Sequence, residues 1–222
     1  MSRPTSDTRR RLLQMALAVV ALGATRGVGA QALVPTPRQA RGPFYPLELP
    51  LDSDNDLTRV AGSATTARGE ITDLAGRVLD ERGQPLAEAR VEIWQCDANG
   101  RYHHPYDSGS TEPDPGFQGY GQYLTGADGA YRFRTIRPVP YPGRAPHIHF
   151  AVTRPGYERL ITQMYVEGAP ENPGDFLLSA VPDPVARRAL IVPFGPSPTP
   201  EHARWVAHFD LVLSAEGRAG RS

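Results

Sequence analysis

Residues 70–96 read EITDLAGRVLDERGQPLAEARVEIWQC. Apolar and polar positions alternate on both sides of Glu81-Arg82-Gly83-Gln84-Pro85, which is the period of a half-buried strand interrupted by a turn. The pattern recurs at residues 122–136, QYLTGADGAYRFRTI, where Asp128-Gly129 is a hairpin signal. Further short strands read from APHIHFAVTRPG (145–156), RLITQMYVEG (159–168), RRALIVPF (187–194) and RWVAHFDLVLS (204–214). Only DPVARRAL (183–190) reads as helix. Many short strands separated by Gly and Pro turns predict an all-β fold, an antiparallel β-sandwich whose long loops carry any site.

Outside that core the chain changes character. Residues 6–32, SDTRRRLLQMALAVVALGATRGVGAQA, place three arginines before an apolar run and small residues after it. That is the order of a signal peptide, with a twin-arginine flavour, and the apolar run is short for a membrane span. The expected organisation is an export signal at 1–30, an extended Pro-rich arm at 31–68, a β-sandwich domain at 69–215 and a disordered tail at 216–222. The expected address is periplasmic or extracellular, with no stable membrane span once the signal is removed.

The 222 residues carry 24 basic and 24 acidic side chains, so no charge excess favours nucleic acid. Removing residues 1–30 takes away five arginines and one acid and leaves the remainder mildly acidic. Cys96 is the only cysteine, so no disulfide staples the fold. Its place in the strand ARVEIWQC suits a buried structural thiol rather than a nucleophile.

In PHIHF the two histidines sit at alternate strand positions, so His147 and His149 share a face and Ile148 takes the other. Two imidazoles on one face are half of a metal site. The loops around them, NGRYHHPYDSG (99–109) and RPVPYPGRAPHIHF (137–150), add Tyr102 and Tyr141. A phenol normally loses its proton near pH ~10, and a phenolate is a hard anion. Two phenolates with two imidazoles suit ferric iron better than zinc or copper(I). His103, His104, His202 and His208 receive no assigned role.

The stretches TPRQARGPFYP (36–46), DNDLTR (54–59), VEIWQCDANGRYHH (91–104), GADGAYRFRTIRPVPYP (126–142), RAPHIHF (144–150) and LITQMYVEG (160–168) resemble the intradiol ring-cleaving dioxygenases, in the order that family shows. The resemblance implies a non-haem Fe(III) enzyme that cleaves a catechol between its hydroxylated carbons with O2, giving a cis,cis-muconate. It places the ferric ligands on Tyr102, Tyr141, His147 and His149, with Tyr141 as the phenolate displaced by substrate. Arg144 matches a family arginine beside the metal and Gln163 a polar neighbour of it. Gly42, Pro43, Phe44 and Pro105 match stretches near the substrate pocket.

One departure is the loop after Tyr141. Only Pro142 and Gly143 separate it from Arg144, where classical members carry a longer segment. That trimming implies a wider mouth. Protocatechuate, catechol and hydroxyquinol stay open as substrates. So does pairing, whether as a homo-oligomer or with a second chain type. Two rivals remain at this point: a passive secreted prealbumin-like β-sandwich module, and a His-x-His metalloenzyme of other chemistry.

Overall fold

In the second of two five-stranded sheets, strand β5 (His147–Thr153) is buried at every position but its last. A strand buried on both faces needs cover on both, and the architecture follows from how that cover is supplied. The structure, a computed structural model, describes residues 32–216. The expected export segment and residues 217–222 of the expected tail lie outside them.

The second sheet runs β3 (Tyr120–Leu124), β2 (Arg90–Trp94), β5, β6 (Leu160–Val166), β7 (Ile191–Val192). The first runs β10 (Leu211–Leu213), β1 (Ile71–Asp80), β9 (Trp205–His208), β8 (Phe194–Pro196), with β4 (Ala130–Ile136) also paired to β1. The all-β, two-sheet fold is the one the alternation predicts. Its pairing is mixed, however, because β1 runs parallel to β9 and β10, and β6 parallel to β7. At ten residues β1 is long enough to take β4 along one side and two short strands, end to end, along the other.

The turn at Asp128-Gly129 does not close a hairpin. β3 before it pairs with β2, while β4 after it pairs with β1 in the other sheet. Turn chemistry reverses the chain but does not say which neighbour each strand finds. The expected helical piece forms α2 (Pro184–Ala189), opened by the Asp183 side chain accepting from Val185 N. A shorter helix that the alternation did not disclose, α1 (Phe176–Ser179), precedes it. Among the described residues no helix is long and apolar enough to cross a membrane.

Between the sheets, Leu74, Val78, Tyr131 and Phe133 meet Val91, Ile93, Phe150 and Val152 in one buried cluster. The outer face of the second sheet carries a second cluster, Trp94, Cys96, Tyr102, Tyr120 and Ala151, with Phe44, Tyr45 and Tyr141 packed against it. Residues 32–68 supply much of that cover in irregular backbone. They are tied down by Thr36 N to Val212 O, Gln39 N to Ile161 O and Leu57 N to Arg134 O, at 3.0, 2.8 and 2.8 Å. The buried Glu92 carboxylate clips the arm, accepting from the Tyr45 hydroxyl at 2.7 Å and the Tyr120 hydroxyl at 2.8 Å.

The arm also passes close to Gly121, where a Cβ would lie 2.5 Å from Asp54 O and 2.6 Å from Leu57 Cδ1. Gly121→Ala should therefore push the arm outward and cost about 1–3 kcal/mol, the usual penalty of overpacking. Urea denaturation reads it directly. An unchanged midpoint would mean the arm is not seated there.

Candidate metal centre

Strand register brings the first pieces together. Trp94 of β2, His149 of β5 and Gln163 of β6 pair in one row across three strands, and His147 pairs with Tyr165 in a neighbouring row. Side chains of one row stand on one face, so the outer face presents two imidazoles beside an indole and an amide. The Trp94 ring stacks on His149 at 4.7 Å and 7°. Gly42, at φ 73°, lets the arm reach the other ring: a Cβ there would stand 3.3 Å from His149 Cε1.

Two loops bring the phenols. Tyr102 sits where Asp107 accepts from Tyr102 N at 2.7 Å and Gly109 N at 3.1 Å, while its carboxylate pairs with Arg101 at 3.0 Å. Tyr141 opens the tight turn expected from its spacing, closed by Arg144 N donating to Tyr141 O at 2.9 Å. The Tyr102 ring then lies 5.8 Å from Tyr141 and 6.3 Å from His149, Tyr141 lies 5.4 Å from His147, and the imidazoles are 4.8 Å apart. All four residues singled out from the sequence converge. Of the four pocket candidates, Phe44 stacks on Tyr102 at 4.6 Å and Gly42 abuts His149, whereas Pro43 and Pro105 are exposed.

The electrostatics of the quartet are those of neutral groups deprived of water. His147 Nδ1 donates to Ala145 O at 2.6 Å, which fixes the tautomer and leaves the lone pair on Nε2. That Nε2 faces His149 Nε2 at 3.2 Å. Burial, aided by the Arg144 charge, lowers the His147 pKa to about 4, and burial holds His149 well below its ordinary value. Burial pushes the Tyr102 phenol well above 10, and the neighbouring Cys96 and Tyr141 add to it. Tyr141 is raised by burial too, against the pull of Arg144.

The Tyr102 hydroxyl is buried and makes no hydrogen bond of ordinary geometry, the Tyr141 phenol being its polar neighbour. A buried phenol beside two converging imidazole nitrogens is a donor set able to hold a cation. Among the described residues no group of three or more His, Cys, Asp or Glu forms. A cation at the imidazole pair would thus draw on the phenols, and a hard trivalent ion fits two phenolates and two neutral imidazoles. Ferric iron suits this donor set.

Arg144 and Gln163 border the quartet. Arg144 Nη1 stands 3.4 Å from the Tyr141 hydroxyl, and Nη2 donates to Gln163 Oε1 at 2.5 Å. Gln163 Nε2 donates to Ala40 O at 3.1 Å and so joins the arm to the centre. Asp175 is the neighbour the sequence reading passed over. Its side chain is wholly buried and pairs with Arg144 Nε at 2.9 Å. An Asp before Phe-Leu-Leu is a helix N-cap signal, but nothing in its local sequence points to Arg144. A cavity of about 480 Å³ shares Phe44 and Tyr102 with the centre, is walled further by Trp94, His103, Phe117 and Tyr120, and touches neither His147 nor His149.

Comparison with known proteins shows what the chain resembles. A family model described as Dioxygenase matches residues 40–215. Over 184 residues the chain is 39% identical to the protocatechuate 3,4-dioxygenase beta chain of Burkholderia cepacia, covering 79% of this chain and 78% of that protein. It is 32% identical over 198 residues to a hydroxyquinol 1,2-dioxygenase of Rhodococcus opacus, covering 79% of this chain and 62% of that one. Among solved structures, the dioxygenase domain of a carbohydrate-binding fusion protein from Streptomyces sp. SirexAA-E superposes with a TM-score of 0.60 at 31% identity, covering 82% of this chain and 99% of that one. Catechol 1,2-dioxygenase from Acinetobacter sp. ADP1 superposes at 0.62 with 27% identity, covering 81% and 63%.

The histidine burial has a measurable sign. In the metal-free protein the unfolded chain takes up a proton at His147 below the usual ~6.5, while the folded chain resists until about 4. Stability should therefore be level above pH ~6.5 and fall as pH drops toward 4, by roughly 3 kcal/mol for His147 alone. Urea midpoints of the metal-free chain across that window test it. A midpoint that rises on acidification would contradict neutral burial.

Proposed function

Because the chain belongs to the family of intradiol ring-cleaving dioxygenases, we propose that it is a non-haem Fe(III) enzyme that opens a catechol between its hydroxylated carbons with O2 to a cis,cis-muconate. Tyr102, Tyr141, His147 and His149 would hold the iron. The single observation that carries this reading is their convergence, with the Tyr102 hydroxyl buried among them. Bound there, ferric iron supplies a Lewis-acidic site for a catecholate and makes its ring reactive toward O2.

The chain's own residues divide the remaining work. Tyr102 is 3% exposed while Tyr141 is only half-buried, so Tyr141 would be the ligand with more room to move aside for substrate. A phenolate freed there would be basic enough to take a catechol proton, because a phenol ordinarily ionises near pH ~10. Arg144 is fixed beside Tyr141 and donates toward Gln163, and its guanidinium is placed to stabilise negative charge that develops on the ring. Trp94 and Phe44 keep water from His149 and Tyr102 by stacking on them.

The substrate class follows from the relatives' names, which cover protocatechuate, hydroxyquinol and catechol. Pro142 and Gly143, the whole spacer between Tyr141 and Arg144, are both exposed. A short, exposed turn leaves the mouth wide, so bulky 4-substituted catechols belong in the proposed range. Export through residues 1–30 is also part of the proposal, and edman sequencing of protein recovered outside the cytoplasm tests it. The passive-module rival falls with the family assignment. The rival His-x-His enzyme lacks a matching carboxylate or third histidine beside the pair among the described residues.

Iron-loaded protein should show a visible tyrosinate-to-iron charge-transfer band and consume one O2 per catechol. Tyr102→Phe and Tyr141→Phe should each shift or weaken the band, and the double substitution should abolish the band and ring opening. Retention of both by the double variant would overturn the reading. Comparable kcat/KM for catechol and a bulky 4-substituted catechol is expected; strict preference for protocatechuate would refute the wide mouth.

A further inference from the structure

Asp175 stands one residue before α1 and outside every motif that marks the metal centre, yet its carboxylate binds four donors. Oδ2 accepts from Arg144 Nε and from Ala145 N, both at 2.9 Å. Oδ1 accepts from Leu177 N at 3.0 Å and Leu178 N at 2.9 Å, capping the helix. The side chain is fully buried, and that of Arg144 is 9% exposed. Those backbone donors and Arg144 hold its carboxyl below the ordinary carboxylate range despite burial.

Two consequences meet at this one group. With Nε committed to Asp175, the guanidinium can only turn its Nη edge to the centre, where it meets the Tyr141 hydroxyl and Gln163 Oε1. The next residue, Phe176, covers the guanidinium face at 5.3 Å. Ala145, held through its N–H, turns its carbonyl to His147 Nδ1 and thereby sets that ring's tautomer. Local helix capping alone would require Oδ1 only. The second oxygen is spent on the peptide that joins Arg144 to the histidine strand.

We propose that Asp175 is a positioning residue for ring cleavage, acting through Arg144 and the 144–145 peptide. The inference rests on the iron dioxygenase reading and adds a residue to it. A buried ion pair that fixes one edge of a guanidinium gives orientation more than net stability. Misplacing a charge-stabilising group by about 1 Å can cost on the order of a hundredfold in rate.

A double-substitution cycle on the iron-loaded full chain tests it, with catechol as substrate. Asp175→Asn preserves volume and one carbonyl oxygen for the cap, but turns an amide against Arg144 Nε or Ala145 N. It should lower kcat at least tenfold, leave KM within about threefold, and shift the charge-transfer band through Tyr141. On an Arg144→Ala background the same substitution should cost at least threefold less in kcat than in the parent, the remainder being the route through the Ala145 peptide to His147. Should Asp175→Asn not fold, Asp175→Ser keeps a cap while falling short of Arg144, and Asp175→Glu should recover part of the lost rate. An active parent with unchanged kcat in Asp175→Asn, or a full multiplicative loss on the Arg144→Ala background, would overturn this inference alone. An inactive iron-loaded parent would overturn the dioxygenase reading instead.

Discussion

Water is excluded from a face of the second sheet that carries polar side chains, and the structure depends on that exclusion. An imidazole or phenol moved out of water favours its neutral form. Hence His147 and His149 keep their lone pairs at neutral pH and Tyr102 keeps its proton. The same burial that disfavours charge in the quartet would be offset by a bound cation, whose charge favours a phenolate over a phenol in a dry site.

Keeping that face dry is the task of irregular chain rather than of a third layer of regular structure. Phe44 and Tyr45 of the arm, Tyr102 of one loop and Tyr141 of another close over Trp94, Cys96 and Ala151. Each cover is anchored by a buried or half-buried acid: Glu92 receives Tyr45 and Tyr120, Asp107 receives Tyr102 N, and Asp175 receives Arg144 and Ala145. Loop side chains can stand beside the strand histidines here because rigid strands and these carboxylates hold the loops still. The Cys96 thiol, pushed up to about 12 by burial, belongs to this packing and has no nucleophilic part.

Legibility from the sequence varied with the range of the interaction. His147 and His149 on one face were readable, because strand period is a local property that packing rarely reverses. Tyr102 and Tyr141 were readable as partners only through resemblance, since neither loop encodes its own closure onto the imidazoles. The turn at Asp128-Gly129 misled for the same reason: it marks a reversal, and β3 and β4 then join different sheets. The parallel docking of β9 and β10 on β1 links residues more than a hundred apart and leaves no local trace. Asp175 resembles any helix cap until Arg144 is seen against its second oxygen.

By itself, then, the order of residues determined an all-β chain, a Gly- and Pro-punctuated strand pattern, a pair of histidines sharing a face and the set of side-chain types able to hold a hard metal. These are matters of local period and of functional-group chemistry, and neither needs a neighbour in space. Tertiary structure alone decided which sheet each strand joined, which phenols met the imidazoles, how little water reached them and which acid aimed Arg144. Those depend on contacts between distant segments, whose free energy is settled only when the whole surface is buried at once.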